Sequence, residues 1–278
     1  MKINVNDISF EVNAESNSMF WDYLNQGKWE PHTFKIIDYY VEPKSIVLDI
    51  GCWIGPLSLY MAAKDAAFFS IDPDPTAFKN FERNVGCNLS LSKHITSSNI
   101  AITQTNDEFQ LYARCGYGNS SSSLLNRARD NSDYVKIKGL TFQEYLKTQK
   151  LSIVDFIKMD IEGGEFQIVD SFSDGLKKLG FPTLLLSLHY GYLDEWLYKS
   201  KVGNQFLSKG MMKIESILKF YIFKNQMLKK LYEIVALAKQ FRFVYNEHGE
   251  PISSLNLNST HLLKNKIDLL LSNKPFIA

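Results

Sequence analysis

Long apolar runs are missing from this sequence. Nowhere do about 18 consecutive apolar residues occur, and the opening Met1-Lys2-Ile3-Asn4-Val5-Asn6-Asp7 has no apolar core followed by a cleavage site. The reading is a soluble, cytoplasmic protein that is not secreted and has no membrane partner. Cysteine is scarce: Cys52, Cys87 and Cys115 are odd in number and show no Cys-x-x-Cys spacing, which argues against a disulfide framework and a structural zinc site and fits a reducing compartment. Charge of one sign is not in excess either. The 31 Lys and Arg against 30 Asp and Glu leave a net charge of +1, so no bulk field recommends nucleic acid as a partner. There is no internal repeat, and Asn119-Ser120-Ser121-Ser122-Ser123 is the only low-complexity stretch.

What is present is a chain of 278 residues, 45% of them hydrophobic, enough for one large α/β domain with additions. Residues 1–44 read as an N-terminal extension: an alternating strand from Ile3 to Val12, a loop-rich stretch with Trp21, Tyr23 and Trp29, and a helix from Pro31 to Tyr40 with Phe34, Ile36 and Ile37 on its apolar side. The large aromatics are expected to anchor the extension to the rest. The main domain, 45–278, starts at Ser45 to Ile50, a short continuous apolar run of the kind found in a parallel strand covered on both faces. A two-glycine turn follows, then a helix beginning at Pro56. Ala66 to Asp72 repeats the pattern, with Pro73 and Pro75 introducing a helix that carries Phe78, Phe81 and Val85. Further strands are expected at Ile95–Ile102, Phe109–Ala113, Val135–Ile137, Ile153–Met159 and Thr183–Leu188. Alternation of strands and helices implies a doubly wound, mostly parallel sheet. A helical insertion over 210–241 contains an amphipathic segment, Met211 to Phe241, broken near Lys224-Asn225, and two late strands at Phe243–Tyr245 and Ile267–Leu271 close the sheet as a hairpin.

The chemistry is written at strand ends. Asp49-x-Gly51-x-x-x-Gly55 stands after a buried strand and before a helix. Glycines let backbone approach a ligand, and the helix start offers N–H groups to an anionic end of it. Asp49, just before the first glycine, suits a ligand ammonium. Cys52 in this loop reads as a packing residue rather than a nucleophile. Asp72, at the end of the second strand, is placed to accept hydrogen bonds from ribose hydroxyls. Together the two features point to a nucleoside-containing cofactor.

The strand Ile153 to Met159 delivers Asp160, with Glu162 and Glu165 close behind. Three acids this near one another call for a cation, a donor-rich ligand or a raised pKa; the alternative is that Glu162 and Glu165 only favour the next helix's N-terminus. Thr183 to Leu188 then brings His189 to the corresponding end of its strand, where a histidine of near-neutral pKa is a natural acceptor of a hydroxyl proton.

In this order the motifs resemble the FkbM family of S-adenosylmethionine-dependent methyltransferases. The resemblance runs through Trp29-Glu30-Pro31, the loop Asp49 to Gly55, Asp72-Pro73-Asp74-Pro75, the helix asparagines Asn84 and Asn88, and Ile157-Lys158-Met159-Asp160-Ile161-Glu162-Gly163-Gly164-Glu165, which is similar to the family's Lys-x-Asp-x-Glu-Gly-x-Glu signature. Two departures stand out: Ser187 where the family commonly has an acid two places before the histidine, and Cys52-Trp53 where small or polar residues are usual. The resemblance implies a class I methyltransferase fold, Rossmann-like and seven-stranded, with S-adenosyl-L-methionine as cofactor. It implies cofactor contacts from Glu30, Asp49, Gly51, Cys52 and Trp53, and from Gly55, Asp72, Pro73, Asn99 and Asp160. His189, Asp160 and Glu162 are the catalytic candidates for O-methylation of a hydroxyl on a sugar, glycan or small natural product. A divalent cation is not expected; Asp160 and His189 are the residues to hold one.

Two other readings use the same sheet. A nicotinamide-dependent oxidoreductase is disfavoured because Gly51-x-x-x-Gly55 is the wrong spacing for a pyrophosphate. A non-catalytic binding subunit takes its motive from Ser187 and from the C-terminal third, beyond about residue 195, where no family pattern is visible. Nucleic-acid methylation lacks its Asn/Asp-Pro-Pro-aromatic motif.

Overall fold

The computed structural model describes residues 1–15, 17–113, 116–125, 133–191 and 212–277, with 212–224 as backbone only. Its centre is β3 (Ile46–Ile50), hydrogen-bonded in parallel to β4 (Ala67–Ile71) on one side and β9 (Phe156–Met159) on the other. β5 (Ile95–Ser98) continues beyond β4, and β10 (Thr183–Leu186) beyond β9. The far edge holds β11 (Phe243–Asn246) and β12 (Leu269–Ser272), giving the order β11-β12-β10-β9-β3-β4-β5. Only β12 runs against its neighbours. β9, β10 and β12 are buried at every position, which is why these strands read as unbroken apolar runs.

Helices cover both faces. α3 (Pro56–Ala62) is buried on all sides. α4 (Pro75–Gly86) starts at Pro75 and is capped by Asp74, whose side chain accepts from Thr76 N and Ala77 N; α5 (Leu89–Ser92) and α6 (Phe142–Thr148) are shorter. α7 (Glu165–Lys178) packs with α8 (Met212–Ala238) and contributes Phe166, Val169 and Phe172 to the same core as Leu231 and Ile234. α8 thus packs on its own domain. It runs without interruption through Lys224-Asn225, where a break is expected from the sequence; two polar residues do not stop a helix whose hydrogen-bond ladder continues. Among the described residues, no helix is long and apolar enough to cross a membrane.

Four further expectations are corrected. Ile3–Val12 is a hairpin, β1 (Lys2–Val5) and β2 (Ile8–Glu11), turned at Asn6 with φ +49°; alternation persists through a tight turn and hides it. Trp21 and Tyr23 sit on a helix, α1 (Ser18–Asn25), where Trp21 is buried and Tyr23 exposed. The stretch Ile95–Ile102 breaks after Ser98. β6 (Ala101–Ile102), β7 (Asp107–Tyr112) and β8 (Tyr134–Leu140) form a separate three-stranded sheet, with β7 and β8 antiparallel. Their alternating burial marks strands with one solvated face. Finally, β11 and β12 pair antiparallel but not as a hairpin: α9 (Ser259–Asn265) lies between them in sequence, and β12 inserts next to β10.

The helix α2 (Pro31–Tyr40) forms with the expected bounds. It shares a core with β1, β2, α1 and α3, in which Ile3, Phe10, Trp21, Phe34 and Ile37 meet Val47, Ile54 and Leu57. Asn84 and Asn88 fasten this extension. Asn88 Oδ1 accepts from Glu11 N at 2.8 Å and its amide donates to Glu11 O at 2.6 Å; Asn84 accepts from Asn13 N and donates to Ile54 O, each at 2.9 Å. The bonds to Asn13 and Glu11, between residues 71 and 77 positions apart, pin the extension beside the loop that follows β3, and the extension becomes one wall of the site.

Candidate active site

Asp49, Asp72, Asp160 and His189 all hang from the C-terminal ends of strands in the main sheet, the end at which open α/β sheets bind ligands. Asp49 lies in β3, Asp72 and Asp160 directly follow β4 and β9, and His189 follows β10. They line or border one cavity of about 320 Å³, within the size range of small-molecule sites.

The β3 loop is shaped by its own neighbours. Gly51 N and Cys52 N both donate to Ile71 O, at 2.8 and 3.0 Å. Gly51 has φ +89°, and a Cβ there would lie 1.8 Å from Asp160 O; Gly55 has φ +86°, and a Cβ there would lie 2.2 Å from the Phe81 ring. Both glycines are therefore required by backbone conformation and strand–helix packing. Gly55 does not line the cavity, whereas Gly51, Cys52 and Trp53 do. The Cys52 thiol is buried, and burial together with Asp72 and Asp49 pushes its pKa up, so it packs as a neutral group.

Asp72 receives Trp53 N on Oδ2 at 2.8 Å and Asp74 N on Oδ1 at 2.9 Å. Each oxygen retains a second lone pair for a ligand donor. Burial pushes this carboxyl up to about 7, against the pull of the two backbone N–H groups. Pro73 lines the cavity beside it. Asn99 does not: its amide donates to the Asp72 carbonyl at 2.8 Å from outside, so it holds the strand end instead of facing a ligand. Asp49 is 1% exposed. Its Oδ2 accepts from Ser58 Oγ at 2.7 Å, while Oδ1 has no hydrogen-bond partner among the described residues. A buried carboxylate oxygen in that condition is costly, and a ligand ammonium relieves it. Glycines held open, a ribose-ready acid and an orphaned carboxylate oxygen thus fit the amino-acid and nucleoside parts of S-adenosylmethionine.

The far end of the cavity is a charge network. Lys158, 4% exposed, meets Asp160 Oδ2 at 2.8 Å. Burial opposes the lysine's charge but is outweighed by Asp160, Glu30 and Asp49, so its pKa is raised; burial likewise pushes Asp160 up but is outweighed by Lys158 and His189, and its pKa is lowered. His189 Nε2 lies 3.3 Å from Asp160 Oδ1 and 3.6 Å from Glu162 Oε2. On its other side Nδ1 lies 3.1 Å from Glu165 Oε1, which also accepts His189 N at 2.6 Å. Glu165 Oε2 takes Gly163 N at 2.9 Å. Burial works against a charged His189, but the hydrogen bond to Glu165 and the charges of Glu165, Asp160 and Glu162 raise it to about 10. The near-neutral histidine expected from the sequence is thus an imidazolium in this arrangement. Asp160, Glu162 and His189 each offer one ligand atom, all within 4.8 Å of one another. Glu30, at the N-cap of α2 with φ +41°, completes this end; burial raises its carboxyl, with Lys158 opposing.

Sequence reading left several participants out. Lys158 was visible only as part of the signature, and Glu165 reads as a helix-start residue, which it also is. The serine stretch is not idle. Asp74 Oδ2 accepts from Gly118 N at 2.8 Å and Ser122 Oγ at 2.6 Å, Trp53 Nε1 donates to Gly118 O at 2.9 Å, and Ser123 Oγ donates to Glu162 O at 2.7 Å. These bonds strap residues 118–123 across the cavity, and nothing in a run of serines signals that. Phe20 and Trp29 line it too, with Phe20 edge-on to Trp29 at 5.3 Å and to Trp53 at 4.5 Å. Where Ser187 replaces an acid, a carboxylate arrives from elsewhere: Asp268, just before β12, accepts Leu188 N at 2.6 Å.

The methyltransferase FkbM domain model matches residues 54–195. Among solved structures, methyltransferase FkbM from Methylobacillus flagellatus KT is 18% identical, with a TM-score of 0.38 over 60% of this chain and 45% of that one. Precorrin-6y C5,15-methyltransferase from Geobacter metallireducens GS-15 is 12% identical, with a TM-score of 0.36 over 66% and 70%. The chain therefore spans under half the length of the first of these. No curated protein matches. The domain model covers about half of the chain, from the turn before α3 through the Lys158–Glu165 signature to His189, and the chain belongs to the FkbM methyltransferase domain family.

Proposed function

We propose that the protein is an S-adenosylmethionine-dependent methyltransferase that O-methylates a hydroxyl of a sugar, glycan or small natural product. The observation that carries this reading is the continuity of the cavity: its walls run from Asp49 and Asp72 at one end to Asp160, Glu162 and His189 at the other. A cofactor anchored at the first end thereby meets an acceptor held at the second.

The cofactor supplies a methyl group on a cationic sulfur, already activated for transfer. The residues of the chain have to bind, align and keep water out. Asp72 offers its remaining lone pairs to ribose hydroxyls, and Asp49 Oδ1 faces the ammonium. Trp53, tied through its indole N–H to Gly118 O, and the strap 118–123 close the cofactor end. Phe20 and Trp29 give the cavity an apolar wall of the kind that accepts the C–H face of a sugar ring. At the acceptor end, the hydroxyl hydrogen-bonds to Asp160, beside His189. The bound cofactor would supply its methyl to this oxygen and keep the carbon–sulfur electron pair. The hydroxyl proton would pass to the Asp160 carboxylate, since the His189 ring already holds its proton in this arrangement. Glu165 holds the imidazole with Nε2 toward Asp160.

Calorimetric titration with S-adenosylmethionine and, separately, S-adenosylhomocysteine tests the cofactor. Saturable binding of both is expected, followed by transfer of labelled methyl to hydroxylated acceptors. A folded protein that binds neither removes this reading and leaves a non-catalytic binding subunit.

A further inference from the structure

At the acceptor end the described residues gather the carboxylates of Glu30, Asp160, Glu162 and Glu165 around the buried Lys158 and the His189 ring. The cluster is not a loose acidic patch. It contains an imidazole whose Nδ1 is fixed by a carboxylate that is itself 1% exposed, leaving Nε2 turned to two carboxylate oxygens at 3.3 and 3.6 Å. A histidine that binds a metal through one nitrogen almost always donates the other N–H to a carboxylate or carbonyl, which sets the tautomer and the ring plane. Glu165 stands in that outer position.

The spacing agrees. Donors held about 2.0–2.2 Å from an ion lie roughly 3.0–3.6 Å from one another in octahedral or tetrahedral arrangements. The His189–Asp160 and His189–Glu162 separations are already of that size. Two elements make it so. Glu162 has a left-handed backbone, φ +52°, unusual for a residue other than glycine. β9 ends at Met159, which pairs with Leu186 at the end of β10, so Asp160 and His189 leave the sheet from neighbouring strand ends, one and three residues beyond that pair.

We infer that Asp160, Glu162 and His189 form a binding site for one divalent cation of the manganese–zinc class, with Glu165 as the outer-sphere residue that orients His189. An ion here displaces the Nε2 proton of His189, and the three donors that the described residues supply are fewer than such an ion takes. All three residues line the cavity, so the open positions face the place assigned above to the acceptor, where the ion takes an acceptor oxygen as ligand. That last role rests on the proposed methyl transfer; cation binding itself does not.

The test titrates Mn2+ into the full chain and follows the free ion by electron paramagnetic resonance, with S-adenosylmethionine affinity measured on the same samples. One saturable Mn2+ per chain is expected, displaced by Zn2+. Glu162→Gln, a near-isosteric change at a partly exposed side chain, is expected to weaken Mn2+ at least about tenfold, and Glu165→Gln to weaken it about 10- to 100-fold, both with cofactor affinity retained. No saturable Mn2+ binding by a chain that binds the cofactor overturns the cation site and leaves the methyltransferase reading standing. So does binding that neither Glu162→Gln nor Asp160→Asn alters, since the ion then sits elsewhere. Mn2+ binding by a chain that binds no S-adenosylmethionine upholds the site and removes the methyltransferase reading instead.

Discussion

Asp72 and Asp160 stand in equivalent places, each one residue past the end of a strand that flanks β3, yet their carboxyls are driven in opposite directions. Among the described residues Asp72 is met by two backbone N–H groups and by no cation, so burial dominates and its carboxyl rises to about 7. Asp160 is met by Lys158 at 2.8 Å and by His189, which outweigh burial and lower it. The same residue type at the same topological position becomes a hydrogen-bond acceptor waiting for neutral donors in one case and a fixed negative charge in the other. What decides is which groups the neighbouring strand ends bring.

Removing the cation tests the comparison most severely. Lys158→Met leaves Asp160, Glu30 and Asp49 facing one another across a poorly solvated wall, and loss of one partner of a buried pair costs about 3–5 kcal/mol. Urea unfolding reads this directly; unchanged stability means that the carboxylates at this end do not depend on Lys158. Next in size is Asp72→Ala. Losing hydrogen bonds to a charged acceptor, worth about 1.5–3 kcal/mol, raises the dissociation constant for S-adenosylmethionine about 10- to 100-fold. Calorimetry checks it, and an unaltered affinity removes the ribose assignment.

A smaller effect is graded by pH. Ribose hydroxyls donate best to an ionised Asp72, so cofactor binding draws its proton off. Affinity therefore rises with pH up to about 7 and levels above it, by at most about tenfold per pH unit. Proton release at pH 6, seen as a dependence of binding heat on buffer ionisation enthalpy, is the signature; its absence places the ribose elsewhere. In the free protein the sign is reversed for folding. The native state keeps a proton that the unfolded chain releases near 3.8, so this group lowers stability as pH rises from there to about 7 and adds no slope above. The smallest effect belongs to Asn99→Ala. Its amide buttresses the Asp72 carbonyl, so about 0.5–1.5 kcal/mol of stability is lost, while cofactor affinity changes less than about twofold. A larger loss of affinity makes Asn99 a direct contact after all.

How much of this was legible depended on distance along the chain. The core of the fold was, because β3, β4, β9 and β10 are covered on both faces and betray themselves as short apolar runs with acids at their ends. The hairpin turned at Asn6 and the helix carrying Trp21 escaped, since short elements of a packed extension take their shape from what they pack on. The separate sheet of β6, β7 and β8 was read as part of the main one because pairing partners are not encoded locally.

By itself, then, the sequence determined the doubly wound sheet, the β3 loop, Asp72, and the arrival of Asp160 and His189 at one end of it, because each follows from a local pattern of burial and turn chemistry. Only the tertiary structure decided what those groups are. Glu165 beneath His189, Lys158 against Asp160, Asp74 gripping the serine strap and Asp268 beside Leu188 are contacts across 2 to 80 positions of chain. Protonation and ligand geometry are set by the charges and donors within a few ångströms, and the sequence does not bring those together until it folds.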